Sequence, residues 1–578
     1  MATSVKWEPI VLSAKVFGHI SQGLYRTPAG AIKELISNAY DAGSDYVKIH
    51  TGFPLFSSFS CEDNGSGISA DEFFSLMHGG IGNSYKRRPE KYVVKYDRPV
   101  IGRLGVGLLS LAQICTQFDI VSHHQESQKA FRATIKFPPY TRLEIDKILK
   151  HQEGTGKEEP IKGGEFSFEE VPYLQNKNGV KVFTKHLRPG FTRRMKDLQR
   201  YGNLKASKDS GPYEDFDAFI KATYSLKTKS LFFLSDYDQL IFGLAVASPL
   251  PYLETGRSTV LLQFPLIKAY QERVKSYNFS VYVDNVALAR PISVPSDMFG
   301  TKPSDCVPDS EPEIIPVKLE DGSYTEDVQV KKYEITIKRS DLKFRWFELG
   351  YDSEVNGQRL NFSGYLFQQT GRLYPKEIQG VLVRLRNVAI GSYSADALTY
   401  PFAEGPRFTM LTSEVLVNEG LEDALNIDRD SFNTLDPHYL RIQGYLHSLL
   451  HQVIFPESWD EEKSRNKRRR EKAASDSERR FVKSLSKTST KEFSSISLVK
   501  REEPATRQGG PPIHFDSKHA TIEIDTGHPL TEQVFKRKKH SQLVAQVLVA
   551  FERVNTERDP DKRRKLFYQL IQDIFAKD

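Results

Sequence analysis

Cysteine is scarce in this sequence. Its 578 residues hold three, Cys61, Cys115 and Cys306, at separations that match neither a disulfide framework nor a zinc-ligand pattern. A stapled secreted fold and a structural zinc site are thereby set aside, and reduced thiols in or near cores are expected. Long apolar runs are missing as well. The best stretch, 240–253, falls short of the roughly 18 residues a membrane-spanning helix needs and is broken by Pro249 and Pro251. The opening MATSVKWEPIVLSAKVF has no continuous apolar core followed by a small-residue cleavage site, so no secretory leader is read. These absences point to a cytoplasmic protein, or a nuclear one in a eukaryote, with no membrane partner.

Excess charge is also absent from most of the chain. The formal net charge is +7, but residues 461–510 hold 15 Lys and Arg against 8 Asp and Glu, which accounts for all of it. The remainder is close to neutral, which argues against a chain that coats nucleic acid over its whole surface. What is present is ordinary globular material, 39% hydrophobic and 27% charged, at a length that predicts three to four domains.

Along the chain, 1–230 mixes helical and strand patterns around glycine-rich punctuation, and 231–276 reads as a connecting segment. Residues 277–456, with runs such as FSVYV, YEITI and GVLVRLRNVAIG, read as a second α/β domain. The stretch 457–515, which contains RNKRRREK, reads as a basic, disordered linker or solvated charged helix. Apolar residues at helical spacing, among them Leu543, Val547, Phe551, Leu566, Leu570 and Ile574, predict a helical segment over 516–578.

Three motifs carry chemistry. In TPAGAIKELISNAYDAG, 27–43, Thr27 suits a cap and Pro28 the first helical position, which places Glu34, Asn38 and Asp41 on one helix face. In CEDNGSGIS, 61–69, Asp63 puts a carboxylate at the end of a strand, and Gly65 and Gly67 permit a tight turn and close backbone approach. In IGRLGVGLLSLAQI, 101–114, Gly102, Gly105, Val106 and Gly107 precede an apolar helical run, a place where backbone N–H groups can receive phosphate. Each motif alone also fits a solvated helix face or a plain turn.

In this order and spacing the three motifs resemble the gyrase, heat-shock chaperone, histidine kinase and MutL (GHKL) superfamily of ATPases. The resemblance implies a two-layer α/β (α+β) sandwich followed by an α/β transducer domain. It makes Glu34 the general base that activates water, Asn38 the magnesium ligand, and Asp63 the acceptor for the adenine amino group. Asp41, Gly65 and Gly67 would line the base, while Gly102, Gly105, Val106 and Gly107 would cradle phosphates. Ser84 and Lys86, in GGIGNSYKRR, stand where lid residues of the family often lie. The cofactors implied are ATP and Mg2+.

One departure stands out: the family's fourth motif is Gly-Thr opening a strand, whereas NGVKVFTKHL offers Gly179 and Val180. The nearest hydroxyl, Thr184, lies four residues farther, roughly 13 Å along a strand, so as a candidate ligand it would need a bridging water or another side chain. Within the superfamily, IGRLGVGLLSLA and the ELISNAYDA helix are most similar to the heat-shock protein 90 family. FTMLTSEVLVNEGLEDALNIDRDSFN, 408–433, resembles its middle domain, where Arg429 matches an arginine delivered to the γ-phosphate. The implied activity is an ATP-driven conformational machine, a nucleotide-dependent homodimer that remodels protein clients. MORC- and MutL-like ATPases, which form DNA-associated clamps, are the rival, and the basic 457–515 segment suits nucleic acid.

Overall fold

The computed structural model describes residues 7–12, 28–78, 92–93, 98–100, 107–137, 161–175, 177–197, 213–224, 230–254, 264–291, 311–320, 325–336, 343–369, 371–426, 430–458, 463–464, 467–468, 495–499, 513–516, 521–526 and 541–575. Helix α1 (Pro28–Asp41) forms where apolar residues recur at helical spacing, and Ala31, Ile32, Leu35, Ile36 and Ala39 are buried along it. Strands β1 (Glu8–Leu12), β2 (Tyr46–His50) and β3 (Phe59–Asp63) are followed by helix α2 (Ala70–Met77) and the isolated pair β4 (Tyr92–Val93) and β5 (Arg98–Pro99). Then come β6 (Cys115–His124), β7 (Lys129–Lys136), β8 (Ile161–Val171) and β9 (Gly179–Leu187), with helices α3 (Pro189–Lys196), α4 (Phe216–Tyr224), α5 (Asp236–Ala247) and α6 (Pro265–Ser276). Strands β10 (Ser280–Val283) and β11 (Val286–Ala287) complete a nine-stranded sheet of order β1-β8-β7-β6-β9-β3-β2-β10-β11. All its pairs are antiparallel except β10 with β2.

The sheet and its helices form the expected two-layer α/β body. Val47 and Ile49 of β2, Ile120 of β6 and Ile135 of β7 alternate inward against Ile32, Ile36 and Ala39. The other face carries a cross-strand ladder in which Lys181 pairs with Glu62 at 2.7 Å and Arg132 with Asp119 at 2.9 Å. Such exposed pairs contribute only ~0.2–1 kcal/mol each, so this face reads as a solvated surface.

The segment 231–291 departs from the boundaries read from the sequence. It is not a connector followed by the start of a second domain. Helix α5 belongs to the first body, with Leu240, Ile241 and Leu244 in its core, whereas Phe264, Ile267 and Tyr270 of the α6 region pack into the second core. FSVYV then returns as β10 to the first sheet, and Asp284 accepts hydrogen bonds from Thr51 N (2.9 Å), Thr51 Oγ1 (2.6 Å) and Tyr237 Oη (2.9 Å). A parallel edge partner more than 200 residues away leaves no local mark in the sequence, which is why the boundary reading failed here.

The second body is a seven-stranded sheet built from β12 (Glu313–Glu320), β13 (Thr325–Thr336), β14 (Lys343–Val355), β15 (Gln358–Gln369), β16 (Gly380–Leu385), β17 (Val388–Ser394) and β18 (Leu411–Glu419). Its order is β12-β13-β14-β15-β18-β16-β17, and helix α7 (Pro437–Leu449) follows, capped by Asp436. Trp346 is fully buried between Phe264 and Tyr365, with ring centroids 4.5 Å away on each side. Arg290 and Arg384 share Glu414, all three fully buried, and Arg384 Nη2 also donates to the carbonyl of Val246 at the end of α5 (2.6 Å). Burial works to raise the Glu414 pKa, but the two guanidiniums outweigh it and hold the carboxyl below its ordinary value.

Residues 454–578 form a separate unit. Strands β19 (Ser495–Val499), β20 (Ile513–Asp516) and β21 (Thr521–Asp525) make a sheet of order β19-β21-β20, and helices α8 (Ser541–Asn555) and α9 (Pro560–Phe575) follow. Ile513, Ile522 and Ile524 share a core with Ala545, Val549 and Leu570. The helical segment read over 516–578 therefore also carries a strand, and β19 together with β20 falls inside the stretch read as a disordered linker. Strands of four or five residues give little periodicity among so many charges. No helix among the described residues is long and apolar enough to cross a membrane.

Candidate nucleotide-binding site

Helix α1 ends in a way that builds the site. Gly43, at φ +74°, closes the helix: its N–H donates to Tyr40 O (3.2 Å) and Ser44 N–H reaches back to Ala39 O (3.1 Å). This Schellman pattern needs a residue that accepts the left-handed conformation, and it aims the next side chain, Ser44, away from the helix. The Ser44 hydroxyl donates to Asp63 Oδ1 at 3.0 Å, and Gly65 N–H donates to the same oxygen at 2.8 Å. The Val180 backbone N–H lies near enough to this carboxylate to favour its ionised form.

Withdrawal from water pushes the Asp63 carboxyl up to about 6, against the lowering effect of the hydrogen bonds from Gly65 and Ser44 and of the Val180 amide. A carboxylate has about four acceptor positions, and the two hydrogen bonds from Ser44 and Gly65, both on Oδ1, leave capacity for a ligand donor.

Where the resembling family presents a threonine, this chain has Val180, whose backbone amide lies near the aspartate. Gly179 allows it, because a Cβ there would lie 2.1 Å from Asp63 O. Thr184 is not brought to the carboxylate. It pairs with Phe59 at the opposite end of β3, its hydroxyl donates to Gln117 O, and it accepts from His186 N–H at 2.9 Å.

The DNGSG turn is fixed by its surroundings. Asn64 Oδ1 accepts from the N–H groups of Asp45 (2.8 Å) and Tyr46 (3.1 Å), and Ile68 N–H donates to Ser122 Oγ at 2.8 Å. Gly67, at φ +77°, would place a Cβ 2.3 Å from His123 O, and a Cβ on Gly65 would meet Ser44 Oγ at 2.7 Å. Both glycines are thus required by the protein's own backbone and side chains. Just beyond, Ser69 and Glu72 form a reciprocal capping box that starts α2.

On α1, Glu34 is 1% exposed, Asp41 is buried and Asn38 is half-buried. The Asn38 side chain makes no hydrogen bond among the described residues, so its carbonyl oxygen is available to a hard cation. Gly107 opens a 3₁₀ helix, Gly107–Gln113, whose buried Ser110 hydroxyl donates to Ala31 O at 2.9 Å, holding the end of the glycine motif against the helix that bears Glu34. Ser84, Lys86, Gly102, Gly105, Val106 and Arg429 lie outside the described residues. Cys61 and Cys115 are buried free thiols that burial pushes up, far from the reactive thiolate range.

The second body reaches this helix. Lys33, directly before Glu34 and 4% exposed at its side chain, pairs with Asp430 Oδ1 at 2.6 Å, and its ammonium also faces Ala389 O at 3.4 Å. Asp430 follows Arg429 in sequence, and the base of that loop is closed by Asn426 N–H to Ser431 O (3.1 Å) and Asn426 Nδ2 to Ser431 Oγ (2.9 Å). Ser44, the Val180 amide and Lys33 were not singled out by the motifs. The glycine at 43 was a usable signal for Ser44; the other two had none.

Residues 25–155 match the family described as histidine kinase-, DNA gyrase B-, and HSP90-like ATPase. The chain is also similar to the DNA mismatch repair protein MutL of Anaplasma phagocytophilum (strain HZ), 27% identical over 134 residues that make up 23% of this chain and 20% of that protein. It thus spans about one fifth of the curated relative's length. Both findings support a GHKL-type ATPase domain at this site, and they do not separate an HSP90-type from a MutL- or MORC-type member.

Proposed function

We propose that this chain binds ATP with magnesium and hydrolyses it, and that turnover drives rearrangement of its two α/β bodies. The observation that supports this most is the Asp63 carboxylate, anchored by the Ser44 hydroxyl and the Gly65 N–H with acceptor capacity left for an adenine amino group. Glu34 takes the proton of the attacking water, and Arg429 from the second body stabilises charge on the γ-phosphate. Asn38 would hold magnesium, which neutralises phosphate charge when bound. Ser84, Lys86 and the N–H groups of Gly102 through Gly107 receive the phosphates, and Thr184 keeps only its place in the sheet. Nucleotide binding favours association of two copies.

Two partner classes follow from different observations. Remodelling of protein clients rests on the likeness of the glycine motif and LNIDRD to the heat-shock protein 90 family. A DNA-associated, ATP-gated clamp rests on the similarity to MutL and on the basic stretch within 457–515. Steady-state ATPase of the full chain with duplex DNA, with an unfolded protein and with neither decides between them. Hydrolysis that requires magnesium and rises with one additive is expected; no ATP binding by calorimetry, with or without magnesium, refutes the reading.

A further inference from the structure

The loop that joins β18 to α7 is linked to the first body at two points, by an ion pair and by an arginine bridge that the nucleotide motifs do not include. At its far end is Asp430, paired with Lys33. A lysine ammonium buried to this degree needs a carboxylate partner, because the charged form is otherwise strongly disfavoured away from water. Lys33 supplies the pairing from the helical position next to Glu34, across 397 residues of chain.

The near end is held through Arg386. This residue and Asn387 occupy the two-residue turn between β16 and β17 at φ +48° and +76°. Such turns favour asparagine and glycine, and an arginine in the left-handed region is disfavoured there. The side chain accounts for its presence: Nη2 donates to Glu422 Oε1 at 2.6 Å while Nη1 donates to the carbonyl of Val100 at 2.7 Å. Val100 immediately precedes the 101–107 glycine motif in sequence. One guanidinium thus bridges the start of the β18–α7 loop to the first body, with Arg386 and Glu422 both mostly buried, at 19% and 14% side-chain exposure.

We propose that Lys33 and Arg386 are positioning residues, a two-point clamp that ties Glu422 and Asp430 of this loop to the first body beside Glu34 and so fixes how the second body meets the helix that bears it. The assignment rests on the ATPase reading given above. The clamp sets the rate of the chemical step and leaves nucleotide affinity nearly untouched, since neither residue is assigned a contact with ATP.

The test uses the full chain with Lys33→Met, Asp430→Asn, the double variant, Lys33→Arg, Arg386→Gln, and Glu34→Ala as the reference for lost chemistry. Three quantities are read: kcat, the Kd for ATP, and hydrogen exchange of the amides at 421–433 without nucleotide. Lys33→Met, Asp430→Asn and Arg386→Gln should each lower kcat by about tenfold or more, as a small misplacement of a catalytic group does. Their Kd for ATP should stay within about threefold of wild type, and exchange of the loop should quicken. Lys33→Arg should restore most of the rate, and the double variant should lose no more than the worse single one, because both remove the same pair. Wild-type kcat and exchange in Asp430→Asn and Arg386→Gln, both near-isosteric changes that remove only the charge pairing, overturn the clamp. If wild type hydrolyses and Glu34→Ala does not, that failure belongs to the clamp alone. If wild type binds no ATP, the ATPase reading fails, and unchanged loop exchange in the variants would then overturn the clamp independently.

Discussion

Ser44→Ala tests the adenine pocket through proton linkage. The hydroxyl donates to Asp63 Oδ1, and burial has already pushed that carboxyl up to about 6. A hydrogen bond to a charged group contributes ~1.5–3 kcal/mol, which at ~1.4 kcal/mol per pH unit moves the Asp63 midpoint up by about one to two units. If the ionised form binds adenine, wild type is mostly competent at pH 7, while the variant is roughly one-tenth to one-half ionised there. The affinity for ATP at pH 7 should then fall by about two- to tenfold, with full recovery near pH 9 and a larger deficit below pH 6. Because the nucleotide's own phosphates titrate identically in both experiments, the ratio of the two Kd values isolates the protein. Stability runs the opposite way with pH: a raised carboxylate pKa penalises folding progressively from the unfolded-state pKa up through the folded one, so the variant should match wild type in acid and lose stability in alkali. Calorimetric titrations from pH 5.5 to 9 provide the check. A Kd ratio that does not change with pH would show that Asp63 ionisation is irrelevant to binding.

Four further expectations follow from the same geometry. Glu34→Ala should keep ATP affinity but lose about 10²- to 10⁴-fold in turnover, read by phosphate release, whereas Arg429→Ala should lose turnover and also fail to associate with ATP by light scattering. Gly179→Ala sets a Cβ 2.1 Å from Asp63 O and should abolish nucleotide binding and lower the melting temperature, which thermal scanning would show. Glu414→Gln leaves Arg290 and Arg384 buried without their shared carboxylate and should destabilise the fold by about 3–5 kcal/mol in urea titration. If the basic stretch binds DNA, neutralising the cations of RNKRRREK should flatten the salt dependence of binding and leave basal hydrolysis unchanged; deleting all of 457–515 is the poorer test, because it removes β19 and β20.

The sequence exposed what depends on side-chain identity at short range. ELISNAYDAG reads as a helix because its apolar spacing is regular, and DNGSG reads as a turn with a carboxylate because those residue types have few other uses. Contributions made by the backbone were invisible: no side chain marks the Gly65 N–H as a donor to Asp63 or the Val180 amide as lying near it. Gly67 illustrates the converse, since a glycine read as making room for a ligand makes room for His123 O. Lys33 and Asp430 were out of reach because a buried ion pair is recognisable only once both elements are in place.

The return of β10 to the first sheet also governs how the molecule can be made. Thr51 meets Asp284 across 233 residues, and at a synthesis rate of ~5–20 residues per second the edge of β2 waits on the order of 10–50 s for its parallel neighbour. Through that interval Val47 and Ile49 belong to a strand with one open side, a template for wrong pairing. A fragment ending at 230 would hold that edge open permanently, so a soluble nucleotide-binding piece should need to extend past Ala287 and would then carry the apolar face of α6 with nothing to cover it. Expression trials of the two lengths should yield aggregated 1–230 and a longer fragment that stays in solution only with the second body attached, making the two α/β bodies a single unit of folding.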